Sequence, residues 1–159
     1  MIIRPNGVAE SVIMKPYGLV KLELFNGKGG LKDMRVVSNL LVNTGLAFIT
    51  GRMLEATLNV LSHMAVGTGN TAAAGTQTAL VTEVARVALS DAVQATTNVT
   101  DDTAQYMATF PAGTATGFLT EAMILNAASG GLAFNRAVFS VINKGANDSL
   151  TITWKIIIA

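Results

Sequence analysis

The chain has 159 residues, enough for one domain with a core that needs neither disulfide nor metal, and it contains no cysteine. Only 13% of the residues are charged and 50% are apolar, against about 25% charged in an ordinary soluble domain. The net charge is +1, which excludes the electrostatic footprint of a nucleic-acid or anionic-membrane binder. A surface made of Thr, Asn, Ser, Gly and Ala suits burial against neighbours, because interface cores are depleted in charge.

Residues 1–16 read as an N-terminal arm. They carry Pro5, Gly7 and Pro16, and their apolar residues have no clear period. An arm of this kind is commonly ordered by a partner. Ile2, Ile3, Arg4, Pro5, Val12, Ile13 and Met14 are its candidate partner-binding residues; an N-terminal edge strand is the plainer alternative. The segment lacks the unbroken apolar stretch of a signal peptide, and no run in the chain has the length of a membrane span. Assembly in a cytoplasm, without secretion, is the expectation.

Residues 17–159 read as a single β-rich domain. Residues 17–37 form a hairpin around Asn26-Gly27-Lys28-Gly29-Gly30, whose residue types favour a turn. This Gly-rich stretch lacks the order of a phosphate-binding loop. One main helix is predicted over about 43–58, capped by Asn43 or Thr44. It would bury Leu46, Ile49, Met53 and Leu54, with Thr57 or Leu58, against a sheet. Gly45 and Gly51 weaken it. Residues 59–67 read as a buried strand, followed by a Gly- and Ala-rich loop. Residues 76–90 fit a helix and a strand equally well.

Strands follow at 100–110, 118–125, 132–142 and 150–158, separated by Pro111-Ala112-Gly113, by residues 126–131 and by residues 143–148. The last is the cleanest, with Leu150, Ile152, Trp154, Ile156 and Ile158 on alternate positions. The predicted fold is mainly β: an antiparallel β-sandwich or jelly-roll-like barrel with one main α-helix packed on it.

The parts of an active site are missing from the pattern. His63 is the single histidine and lies in an apolar run, as a core or interface residue. Asp101-Asp102 marks a solvated turn rather than a Ca²⁺ site. Gly67-Thr68-Gly69 imitates the start of a dinucleotide fingerprint without its third glycine or its βαβ context. The glycosylation-like triplets at Asn98 and Asn147 are chance matches in a Thr- and Asn-rich chain. No catalytic residue, cofactor or metal is expected, and nucleic acid and membrane are not expected partners.

Three phrases stand out together: Ser38-Asn39-Leu40-Leu41-Val42-Asn43-Thr44-Gly45-Leu46; Ala65-Val66-Gly67-Thr68-Gly69-Asn70-Thr71, running on to Glu83; and Thr120-Glu121-Ala122-Met123-Ile124-Leu125-Asn126, with the closing Thr151-Ile152-Thr153-Trp154. Their order resembles that of tailed-bacteriophage virion proteins, most of all small capsid decoration (cement) proteins. Collar and tail-fibre modules share similar phrases. The resemblance covers roughly residues 36–156 and carries no active site. It implies a non-enzymatic virion structural protein on the capsid surface, a homotrimer that binds the phage major capsid protein between capsomers. A tail, collar or baseplate component is the alternative reading, and a carbohydrate-binding spike module the lesser one.

Overall fold

The computed structural model describes residues 2–3, 9–10, 16–54 and 57–158. Eleven strands and one helix follow each other as β1 (Ile2–Ile3), β2 (Ala9–Glu10), β3 (Tyr17–Phe25), β4 (Leu31–Leu41), α1 (Asn43–Leu54), β5 (His63–Gly67), β6 (Glu83–Ala88), β7 (Asp91–Ala95), β8 (Thr103–Phe110), β9 (Gly117–Leu125), β10 (Ala133–Lys144) and β11 (Ser149–Ile157). β1 and β2 pair with each other, while the other nine form one sheet in the order β6-β5-β9-β10-β4-β3-β11-β8-β7. Every neighbouring pair is antiparallel.

The sheet curls into a half-barrel. Its two end strands, β6 and β7, are consecutive in the chain and are joined only by Leu89 and Ser90. At that corner the Leu89 N–H donates to the Ser62 carbonyl and the Ser90 N–H to the Met107 carbonyl. One run of chain therefore edges both ends of the sheet. β4 turns the opposite corner, pairing with β3 from Leu31 to Asn39 and with β10 only through Leu40 and Leu41.

Strict alternation places the core on the concave face. Val20, Leu22 and Leu24 of β3 meet Leu150, Ile152, Trp154 and Ile156 of β11 and Ala108 and Phe110 of β8, all buried. The same cluster takes in Met64 and Val66 of β5, Ala122 and Ile124 of β9, and Phe134, Ala137 and Ile142 of β10. Each large side chain removed from water contributes about 1.5–3 kcal/mol before the entropy of ordering is subtracted.

The 26–30 turn forms as its residue types demand. The Asn26 side-chain oxygen accepts from the Lys28 and Gly30 N–H groups, and Gly29 takes the positive φ. Residues 76–82 form neither a helix nor a strand, and pairing begins at Glu83. The helix is described over Asn43–Leu54, and Thr57 and Leu58 lie outside it.

The buried face of the helix also differs from the expected one. Ile49 and Leu58 pack against the core as expected, but Gly45 and Phe48 are buried, while Leu46, Met53 and Leu54 are exposed. The cause is the close approach of α1 to β10. A Cβ on Gly45 would lie 1.9 Å from the Phe134 carbonyl oxygen, and the Phe48 ring meets Phe134 edge-on at 5.7 Å. The Thr44 hydroxyl fastens the same end by donating to the Ala133 carbonyl at 2.6 Å. The glycine expected to weaken the helix is what lets it dock.

Candidate functional site

The two halves of the sheet treat their outer faces differently. The outer face of β5, β9 and β10 is covered by the chain's own loop, residues 68–82. Ala65, Met123, Leu125 and Ala133 are buried there, with Leu80 from the loop and Val42. A fully buried ion pair between Glu121 and Arg136 pins that loop, at 2.7 Å. Glu121 accepts from the Gly69 and Thr82 N–H groups through Oε1, and from Val81 N–H and the guanidinium through Oε2. Arg136 donates onward to the Thr71 carbonyl and the Gln77 side chain.

Burial pushes the Glu121 carboxyl up, but the Thr82 N–H, the Arg136 guanidinium and the Val81 and Gly69 N–H groups outweigh it and hold it below its ordinary value. Those donors use both carboxylate oxygens, so this charge pins the loop. The glycines have the same origin. A Cβ on Gly69 would lie 2.6 Å from Glu121 Oε1, and one on Gly67 2.3 Å from the Thr82 carbonyl oxygen. Gly67-Thr68-Gly69 makes room for a protein carboxylate, not for a nucleotide phosphate.

The outer face of β4, β3, β11 and β8 has no such cover among the described residues. Register places Leu19 beside Ser38, Lys21 beside Val36, and Glu23 beside Met34, and the face continues through Thr153 and Thr151 to Met107 and Thr109. Met34 is 53% exposed and Val36 58%, and Leu19 and Leu40 are also exposed. Its charged side chains include Lys21, Glu23 and Lys155, the last between Leu19 and Gln105 in register. Lys21 is neutralised by Glu23 at 2.7 Å, and the Thr109 and Thr151 hydroxyls bond each other at 2.9 Å.

The backbone edge of β4 adds to this surface. From Leu31 to Asn39 it has no partner strand on the side away from β3 among the described residues. The Arg35 guanidinium reaches across that gap to the Ser140 carbonyl. β4 is internal to the sheet at Leu40 and Leu41 and unpaired on one side only before them; an unpaired stretch of strand is a template for another chain.

The other residues singled out in the sequence have structural places. His63 is half-buried, with Nδ1 2.9 Å from the Ser62 hydroxyl. Asp101 and Asp102 lie in a turn, where the Asp102 carboxylate accepts from the Thr97, Asn98 and Val99 N–H groups and the Thr103 hydroxyl. These bonds, Val99 first, outweigh burial and hold its carboxyl well below the usual range. Lys144 is buried and donates to the Pro111 and Asp148 carbonyls, tying two turns together. Burial pushes its ammonium down against the opposing pull of Asp148. Among the described residues no group of three or more His, Cys, Asp or Glu is placed to hold a metal, and no helix is long and apolar enough to cross a membrane.

Of the arm residues, Ile2 and Ile3 belong to β1 by their backbone. Arg4, Pro5, Val12, Ile13 and Met14 lie outside the described residues. The sequence reading did not anticipate the bare β4 surface. Its signal was present in Met34, Val36 and Leu40, apolar residues that alternate along the strand with Asp33, Arg35 and Asn39. Comparison with known protein families, with curated proteins and with solved structures finds no match to this chain.

Proposed function

We propose that the chain is a non-enzymatic structural subunit of a tailed-bacteriophage virion, a decoration protein that stabilises the capsid surface by binding between capsomers. The observation that carries the assembly part of this reading is the bare apolar surface of β4, on a chain that covers its other outer face with its own loop. A domain that covers one face and leaves exposed apolar side chains such as Met34, Val36 and Leu40 on the other has a surface for another protein. Identical copies meeting through it, as a trimer, bury Met34, Val36 and Leu40. The virion assignment rests on the resemblance of the phrases around Val42, Gly67 and Glu121.

Function is then thermodynamic. A subunit that binds only the assembled shell stabilises that state by mass action, and equivalent contacts over a lattice add through avidity. The N-terminal arm supplies a second contact, to the major capsid protein. The single tryptophan, Trp154, is buried in the core, which removes the strongest sugar-stacking platform from the surface and disfavours a carbohydrate-binding module.

Deleting residues 1–14 tests the arm. The expected product is a folded oligomer that no longer co-sediments with its empty capsid. Retained binding, or loss of the folded state, contradicts this role.

A further inference from the structure

The turn between β3 and β4 begins with Asn26-Gly27, an asparagine followed directly by a glycine, and both residues are exposed. The Asn26 side-chain oxygen accepts from the Lys28 and Gly30 N–H groups, each at 2.9 Å. The main-chain bonds of the turn run from the Asn26 N–H to the Gly30 carbonyl and from the Gly29 N–H to the Asn26 carbonyl. The Gly27 N–H is left over and donates to no described residue. Backbone N–H groups are ordinarily paired, and this one stands in water next to a carboxamide whose oxygen is already held by two donors.

These are the parts of an intramolecular acyl transfer. Hydroxide takes the proton of the Gly27 nitrogen, which attacks Asn26 Cγ and forms a C–N bond. The electron pair of the C=O bond moves onto Oδ1, where the Lys28 and Gly30 N–H groups stand at the distance of an oxyanion hole. When the C=O bond re-forms, the bond from Cγ to Nδ2 breaks, and the nitrogen takes a proton from water and leaves as ammonia. The product is a succinimide, which water opens at either carbonyl to aspartate or isoaspartate. The glycines keep this geometry open. A Cβ on Gly30 would lie 2.8 Å from Asn26 Nδ2, and one on Gly27 3.1 Å from the Asn147 carbonyl oxygen.

We propose that Asn26 is a self-modification site, converted through a Gly27 succinimide to an aspartyl or isoaspartyl residue with loss of ammonia. The turn holds the carboxamide against its two donors before reaction, so the ordering is already in place. Both products add a negative charge beside Lys28. The isoaspartyl product also adds a methylene to the main chain, next to the register shift that β3 and β4 already carry between Leu24 and Phe25. β4 bears the bare apolar surface, so its presentation changes as the chain ages. The proposal rests on the turn alone and is independent of the assembly reading.

The test is a time course of the full chain in mildly alkaline buffer, read by tryptic peptide mass. Cleavage after Lys21 and Lys28 isolates residues 22–28, and Asn6-Gly7 falls in a different peptide. The 22–28 peptide is expected to gain about 1 Da as NH₂ is replaced by OH, and to split into two chromatographic peaks, aspartyl and isoaspartyl. An unchanged mass would overturn the proposal. The same chain unfolded in guanidinium chloride keeps the Asn-Gly pair but loses the two donors. Conversion in the folded protein is expected to be as fast or faster, and a several-fold slower folded reaction would overturn the proposal. Gly27→Ala, with an unchanged circular dichroism spectrum, should slow conversion several-fold, and an unaltered rate in that variant would contradict attack by the residue 27 nitrogen.

Discussion

Glu121 is the residue on which the covered face depends. A carboxylate taken wholly out of water is tolerable only when fully paired, and Glu121 collects three backbone N–H groups and one guanidinium. Replacing Arg136 with Met leaves that charge buried without its partner and is expected to cost about 3–5 kcal/mol, measured by urea unfolding. Protection of residues 68–82 from hydrogen exchange should fall in the same variant. Gly69→Ala drives a methyl into the same carboxylate and should cost about 1–3 kcal/mol, the usual range for overpacking. A neutral result for Gly69→Ala would mean the loop is free to move.

The same carboxylate sets a pH dependence. Glu121 is held below its ordinary value of 4.5, and Asp148 below 3.8, the latter mainly by Lys32 and the Gly145 N–H. Folded-state values below the unfolded ones mean that the folded state binds fewer protons. Their stabilisation is therefore complete above those ordinary values and is lost as pH falls through the folded ones. Urea midpoints should be level between pH 6 and pH 8 and drop below about pH 4. Glu121→Gln should lower the midpoint at neutral pH and flatten part of the acid drop.

At the scale of elements, the β3–β4 hairpin and the strands β8 to β11 were legible; β6 was left open, β7 was not foreseen, and the helix phase was misread in part. β11 alternates without a break from Leu150 to Ile156, and its observed burial follows that alternation. The turns at Asn26 and Pro111 carry residue types that dictate their geometry. The helix face was misread because periodicity weighs side-chain size, whereas docking here depends on a missing side chain, Gly45 against the Phe134 backbone. Gly45→Ala, favourable by helix propensity, should therefore destabilise the fold and lower the thermal midpoint. A raised midpoint would show that α1 is not held at this distance.

Residues 68–82 escaped pattern reading because a cover loop has no period. It is held by hydrogen bonds to one side chain 39 to 52 positions away in the chain. The one local clue was Glu121 itself, a lone charge in the apolar strand Phe118-Leu119-Thr120-Glu121-Ala122-Met123-Ile124-Leu125. A buried charge in such a run demands a partner, and a sequence alone does not say which cation supplies it.

Among the described residues the molecule is asymmetric, with one outer face covered by its own loop and one without such cover. The low charge fraction led to the expectation that some surface would be covered by neighbours, and β4 and its flanks are the surface we propose for it. Which residues form that surface was not legible, because alternation assigns two faces to a strand without saying which is covered. We propose that copies of the chain meet through β4. Light scattering on the purified protein tests it, with the double variant Met34→Asp, Val36→Asp beside it. The expected result is a stable particle of three times 16.5 kDa for the unaltered chain, and a folded monomer of unchanged urea midpoint for the variant. A monomer for the unaltered chain, or a variant that still forms trimers, would contradict it.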